Sequence, residues 1–205
     1  MRLRANQITF GYKRGSTVLE DVNFTVDEGE VVGLTAPSGY GKSTLAKILA
    51  GFVKPLQGEV CLEADGKKLE KGKGYNPVQL IFQHPEKAVN PKWKMSRVLS
   101  EVGMPPGELI EAAGIKKEWM SRWPAELSGG ELQRFCVIRA LNPKTRFLIA
   151  DEMTTMLDAI TQAQIWKLVL SYAEEHQMGV VVISHDKELV KRLCTRVVDL
   201  AAGMP

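Results

Sequence analysis

Long apolar runs are missing from this chain. No stretch of about eighteen apolar residues occurs, so the sequence offers no candidate membrane-spanning helix. Cysteine is scarce as well: Cys61, Cys136 and Cys194 stand apart, with no C-x-x-C pair among them. Neither a disulfide framework nor a thiolate zinc site is implied, and three isolated thiols fit a reducing compartment. Charge of one sign is also lacking. A formal net charge of +3 over 205 residues, with no basic stripe interleaved with aromatics, gives no argument for nucleic acid. There is no internal repeat or low-complexity tract, and Met1-Arg2-Leu3-Arg4 leads into a strand pattern rather than an apolar signal segment. What remains is the length of one compact domain with a substantial core.

The first third is β-rich. Residues 2–12, 18–27 and 58–64 alternate or cluster β-formers around turns such as Asp27-Glu28-Gly29. Residues 84–134 change character, carrying Pro85, Pro91, Pro105, Pro106 and Pro124, short helical pieces and no buried-strand pattern. They are expected to form a helical subdomain inserted into a core made of residues 1–83 and 135–205. From residue 147 the pattern is strand–helix–strand, and a helix near 157–176 places Trp166, Val169, Leu170 and Ala173 on one face, read as core packing. Lys67-Lys68 and Lys71-Gly72-Lys73 read as a solvated polar loop. Residues 196–203 read as the final core strand, with no regulatory domain expected after it.

Chemistry concentrates at the ends of the apolar runs. Val31-Val32-Gly33-Leu34-Thr35 has strand character, and residues 43–50 read as a helix stopped by Gly51. Between them lies Ala36-Pro37-Ser38-Gly39-Tyr40-Gly41-Lys42-Ser43-Thr44, a phosphate loop. Gly39 and Gly41 let backbone N–H groups turn inward around phosphate oxygens, and the helix N-terminus adds partial positive charge. Lys42 would reach the β- and γ-phosphates, and the Ser43 hydroxyl would ligate Mg²⁺. Ala36 stands where the usual pattern has glycine, which requires a negative φ at that position.

Phe147-Leu148-Ile149-Ala150 reads as a buried parallel strand ending on Asp151-Glu152. Two carboxylates at such an exit are costly unless they meet cations or hydrogen bonds. Asp151 suits Mg²⁺, and Glu152 suits the attacking water, although strand-end acids also cap following helices. His185 follows another strand pattern, Gly179-Val180-Val181-Val182-Ile183-Ser184, and can reach the same crevice at the strands' carboxyl ends. Its expected task is to hydrogen-bond the γ-phosphate and fix Glu152 and the water. A lone histidine there is otherwise a loop residue. Gln83, after Leu80-Ile81-Phe82, could complete the Mg²⁺ shell.

Taken with Leu127-Ser128-Gly129-Gly130-Glu131, the order of these motifs resembles the ATPase subunit of ATP-binding cassette (ABC) transporters, over essentially the whole chain. The resemblance implies an α/β phosphate-loop ATPase core: a mostly parallel sheet with helices on both faces, an N-terminal antiparallel β-subdomain and the inserted helical subdomain. It implies ATP and Mg²⁺ as ligands, with Ser43, Gln83 and Asp151 around the metal. Ser128, Gly129 and Gly130 would cap the γ-phosphate of ATP held by a second subunit. A capping box, S-x-x-E, accounts for Ser128 and Glu131 but not for the two glycines or for Gln133-Arg134. Tyr12 matches the aromatic on which adenine stacks, with a core or surface tyrosine as the alternative. Asp158 matches the acidic loop that crosses the dimer interface.

A narrower likeness joins Phe82-Gln83-His84-Pro85, Val89-Asn90-Pro91 and Leu157-Asp158 with Thr161-Gln162-Ala163-Gln164-Ile165. These segments resemble importers of peptides, nickel and metallophores, with Ala36 and Met153 as departures. The resemblance implies membrane permease subunits and an extracytoplasmic substrate-binding protein as partners. It also implies a homodimer, or a heterodimer with a second ABC ATPase, and a peripheral place on the cytoplasmic face of the membrane. The alternative is a soluble, non-transport ABC ATPase, whose usual coiled-coil insertion or second cassette is not seen. A degenerate cassette is disfavoured by Glu152 and His185, and a small-molecule kinase by Ser128-Gly129-Gly130.

Overall fold

The computed structural model describes residues 1–13, 15–69 and 74–203. Two register slips shape its N-terminal strands. β1 (Arg2–Phe10) buries Leu3 and Ala5, then changes phase and buries Ile8 and Phe10. A strict period of two would have turned Ile8 to solvent. Gln7, with φ 49°, takes up the extra residue, and the pairing with β2 (Leu19–Asp27) is irregular between Ala5 and Ile8. Asp21, with φ 48°, does the same for β2, where burial passes from Leu19 to Val22, Phe24 and Val26. These bulges keep every large apolar side chain of the two strands on one face. With β4 (Gln57–Ala64) and β5 (Lys67–Lys68) the strands form an antiparallel sheet in the order β2-β1-β4-β5.

The second sheet is parallel throughout. Its strands are β3 (Val31–Thr35), β6 (Val78–Ile81), β7 (Phe147–Asp151), β8 (Gly179–Ile183) and β9 (Arg196–Asp199), in the order β6-β7-β8-β3-β9. The central strands are unbroken apolar runs because both faces are covered. In β7, Phe147 and Ile149 face a core shared with the antiparallel sheet and α1 (Lys42–Leu49). Leu148 and Ala150 face a second core beneath α4 (Gly129–Ala140) and α5 (Ala159–Glu175). That core also takes Met95, Val98 and Leu99 from α2 (Met95–Ser100) and Val190 from α6 (Lys187–Leu193). The fold is α/β, with helices on both faces of a parallel sheet. Because the strands are parallel, Thr35, Ile81, Asp151 and Ile183 end on one edge.

Several expected elements differ in detail, each for a local reason. The helix after Ser128 begins at Gly129, because Ser128 is its cap. Lys67-Lys68 are β5 and not a loop: they pair with Ala64 and Glu63 across a turn in which Asp65 has φ 51°. Lys71-Gly72-Lys73 lie outside the described residues. The last strand stops at Asp199 and Leu200–Gly203 form a 3-10 turn, so β9 is a short, half-exposed edge strand. On α5 the buried apolar residues are Ile165, Trp166, Val169 and Ala173, while Leu170 is only half-buried. Between Ile81 and Phe147 the described elements are all helical: α2, α3 (Gly107–Ala112), α4 and three 3-10 turns. The expected limit at residue 134 falls inside α4.

Gly179 shows how tightly the two sheets meet. A Cβ there would lie 2.6 Å from the Asp27 carbonyl oxygen and 2.7 Å from the Phe147 ring. Gly179→Ala is expected to destabilise the fold by about 1–3 kcal/mol through overpacking, read as a lower midpoint in urea or thermal unfolding.

Candidate functional site

The phosphate loop is shaped by two glycines with different duties. Gly41, at the N-cap position of α1, has φ 87°, and a Cβ there would meet Leu19 Cδ2 at 2.6 Å and Val18 at 3.1 Å. It is required both for its conformation and for close approach to β2. Gly39, with φ 86°, faces open space, so only its conformation is demanded. Ala36 is absent from the residues with positive φ and packs half-buried against the core below the loop. A side chain is therefore accommodated where the usual pattern has glycine. Pro37, Ser38 and Tyr40 are exposed on the loop.

Lys42 is buried, and its Nζ donates to the carbonyl oxygens of Ala36 at 2.8 Å and Pro37 at 3.1 Å. The ammonium thus arches back over the loop. Among the described residues, no side chain caps α1 and no acid lies in its first turn, so its positive end opens on the loop. Tyr12 is exposed, stands edge-on to Phe10, and shares a 3.2 Å hydrogen bond between its hydroxyl and Thr44 Oγ1. It flanks the loop.

Across from the loop, β7 delivers its two acids to different surroundings. Asp151 is only 5 % exposed and its Oδ1 has no hydrogen-bond partner. Burial pushes its carboxyl above the usual carboxylate range, the Ser43 hydroxyl opposes that shift, and the nearby Glu152 charge adds to it. An orphaned, buried carboxylate oxygen beside a serine hydroxyl is suited to a hard cation. No group of three His, Cys, Asp or Glu able to hold a metal by itself exists among the described residues.

Glu152 follows with φ 52°, a left-handed backbone that costs a non-glycine residue about 1–3 kcal/mol. Its N–H donates to the Ile183 carbonyl at the end of β8, and its own carbonyl accepts from Thr155 N–H at 3.2 Å and Thr155 Oγ1 at 3.1 Å. The strained backbone turns the side chain between two neighbours. Gln83 Nε2 donates to Glu152 Oε2 at 2.6 Å, and His185 Nε2 lies 2.5 Å from Oε1. The carboxylate is 10 % exposed and the imidazole 57 %, so the histidine faces outward from the acid it holds. Loop, Gln83, Asp151, Glu152 and His185 therefore gather at one sheet edge.

Ser128, Gly129, Gly130 and Asp158 do not join that gathering within the chain: among the described residues none hydrogen-bonds to the phosphate loop. Ser128 Oγ accepts from Glu131 N–H at 3.3 Å, and Glu131 Oε2 accepts from Ser128 N–H at 2.8 Å, a complete capping box. The same backbone hydrogen bond holds the Glu131 carboxyl below its ordinary range. Asp158 caps α5, accepting from Ile160 N–H and Thr161 N–H at 3.1 and 3.0 Å. The glycines have a packing reason that the sequence did not reveal: a Cβ on Gly129 would lie 2.9 Å from Met156 Sδ, and one on Gly130 3.1 Å from Leu157 Cδ2. Gln133 and Arg134 also acquire partners. Gln133 Nε2 donates to the Phe82 carbonyl at 3.2 Å, and Arg134 donates to the Ala113 carbonyl at 2.7 Å and Thr161 Oγ1 at 3.1 Å.

A loop joining a parallel strand to a helix N-terminus, with acid, amide and imidazole converging from neighbouring strand ends, defines a nucleotide-binding ATPase core of the phosphate-loop class. Residues 19–155 match the family model described as ABC transporter. The chain is 34% identical to the nickel import system ATP-binding protein of Staphylococcus aureus, over 98% of this chain and 88% of that one. It superposes with a TM-score of 0.79 on a dimeric ATP-binding cassette solved in a post-hydrolysis state with ADP and Pi, at 28% identity, covering 96% of this chain and 93% of that one. An ATP-binding subunit of an ABC transporter, at 23% identity, shares the fold with a TM-score of 0.80 over 97% of this chain and 85% of that one. This chain belongs to the ABC transporter ATP-binding family. It is an ATPase subunit, and no described helix is long and apolar enough to cross a membrane.

The desolvated acid predicts a trade of function against stability. Because folding raises the Asp151 pKa, this group favours the fold at acid pH, and that contribution is lost as pH rises through the raised value. Asp151→Asn removes the buried charge. It is expected to raise the unfolding free energy of the nucleotide-free protein near neutral pH by about 0.5–2 kcal/mol, read as a higher unfolding midpoint, while ATP hydrolysis is lost.

Proposed function

We propose that the chain powers import of nickel, a metal–chelator complex or a peptide through partner permeases, by hydrolysing ATP at sites shared between two ATPase subunits. The observation that carries the chemistry is the Glu152 carboxylate held between Gln83 and His185 opposite the phosphate loop. In this reading the N–H groups of the loop from Ala36 to Thr44 receive the phosphates, Lys42 meets the β- and γ-oxygens, and Tyr12 stacks on the base. Ser43, Asp151 and the free oxygen of Gln83 hold Mg²⁺. A bound magnesium ion supplies charge neutralisation on the phosphate oxygens. Glu152 takes the proton of the attacking water, while His185 fixes the carboxylate and approaches the γ-phosphate.

Ser128, Gly129 and Gly130, at the N-terminus of a twelve-residue helix, then serve the γ-phosphate of the partner's nucleotide, and Asp158 lies at the seam. Their separation from the chain's own loop supports that arrangement. Residues 84–134 act as the helical subdomain that meets the permeases. Just before that subdomain, the core adds an apolar surface suited to the same contact: Phe52 is 63 % exposed and packs edge-on against Phe82, with Leu56 exposed nearby in sequence. The cargo class follows the nickel import relative and the Phe82–Pro91 segment. An extracytoplasmic binding protein would deliver it, and the ATPase pair, homodimeric or heterodimeric, would sit on the cytoplasmic membrane face.

Mixing two defective chains tests the shared site. Ser128→Arg and Lys42→Ala should each be inactive when alone, the first because no signature segment is intact and the second because no phosphate loop is. An equimolar mixture should recover part of the phosphate release, since the first chain's loop and the second chain's signature complete one site. A mixture as inactive as its parents, with both variants folded and pairing, contradicts the arrangement. Uptake of radioactive nickel by cells expressing the chain with its permeases, compared with Lys42→Ala, tests the cargo.

A further inference from the structure

Gln133 is 1 % exposed, and its two amide atoms fare differently. Nε2 donates to the Phe82 carbonyl at 3.2 Å, whereas Oε1 is buried without a partner. Turning the amide over would set oxygen against oxygen, so the Phe82 carbonyl fixes its orientation. For packing alone an apolar residue would serve better, since a half-satisfied buried amide opposes stability. The hydrogen bond must therefore do something that packing does not. Its acceptor is the peptide carbonyl joining Phe82 to Gln83, and the Gln83 side chain grips Glu152 Oε2 at 2.6 Å.

The helix that carries Gln133 is anchored elsewhere too. Ser128 caps it, and the next residue, Arg134, is tied to the Ala113 carbonyl and to Thr161 Oγ1. A displacement at the Ser128 end would be carried by α4 to Gln133 and on to the backbone of Gln83. We infer that Gln133 is a positioning residue for hydrolysis: it sets Gln83, and through Gln83 the Glu152 carboxylate, according to where the signature end of α4 lies. The inference rests on the reading of Glu152 as the residue that acts on the attacking water. It supplies a route within one subunit from the segment facing the partner's nucleotide to the acid facing its own.

The test is a double-mutant cycle on the full chain, with steady-state ATP hydrolysis and thermal unfolding read in parallel. Gln133→Met keeps an unbranched side chain and removes the donor. It should lower kcat roughly tenfold with KM for ATP changed less than about twofold, as loss of orientation does. The unfolding midpoint should hold or rise. Gln83→Ala should lower kcat as well, and adding Gln133→Met to it should cause little further loss, because the second residue acts through the first. Gln133→Leu is a second variant, in case methionine folds poorly, and should fall in the same way because it too lacks the donor. Multiplicative losses in the double variant, or full turnover by a folded Gln133→Met, overturn the inference while the reading of Glu152 stands. Full turnover by Gln83→Ala also overturns the inference, whereas full turnover by Glu152→Gln overturns the reading of Glu152 on which it rests.

Discussion

The structure depends on one carboxylate being gripped from two sides. Gln83 and His185 reach Glu152 from different strands, and the residue adopts a left-handed backbone to stand between them. That meeting is possible only because β6, β7 and β8 run parallel and adjacent, so their carboxyl ends share an edge. An antiparallel neighbour would have sent one of the three groups to the opposite end of the sheet. The apolar cores on both sides of β7 fix the strand order, and the strain and desolvation at Asp151-Glu152 are borne by that packing. Stability and function pull in opposite directions at this edge.

A second layer ties the signature segment to the acidic loop within the chain. Thr154 Oγ1 accepts from Trp166 Nε1 at 3.2 Å and from Gln162 Nε2 at 3.0 Å, so the segment after Glu152 is fastened to α5. Met156 and Leu157 then press on Gly129 and Gly130, where any Cβ would be crowded. The glycines thus have a structural duty besides any role toward nucleotide. Met153, 2 % exposed, packs into the second core, which explains how that departure from the resemblance is accommodated.

Much of this was legible in the sequence, and the reasons are physical. The phosphate loop could be read because glycine at left-handed positions and a switch from strand to helix periodicity are local signals, and β3, β7 and β8 were found from continuous apolar runs. The bulges at Gln7 and Asp21 were not, because an alternating pattern does not show where an extra residue is taken up. The β5 pairing at Lys67-Lys68 was hidden by charge. Gln133-Arg134 drew notice, yet their partners at Phe82, Ala113 and Thr161 are long-range and leave no trace in spacing. The capping box at Ser128 was readable, whereas the close approach of Met156 to Gly129 required three dimensions.

The claim that Glu152 acts on the attacking water, at a site closed by a second subunit, is most directly tested with Glu152→Gln. The amide keeps the size and the contact with His185 but removes the base. Light scattering with ATP present, alongside phosphate release, should show a stable dimer whose turnover is lower by about 10²–10⁴-fold, the scale of a lost general base. Near-normal hydrolysis, or a variant that binds ATP tightly yet stays monomeric, would contradict the account.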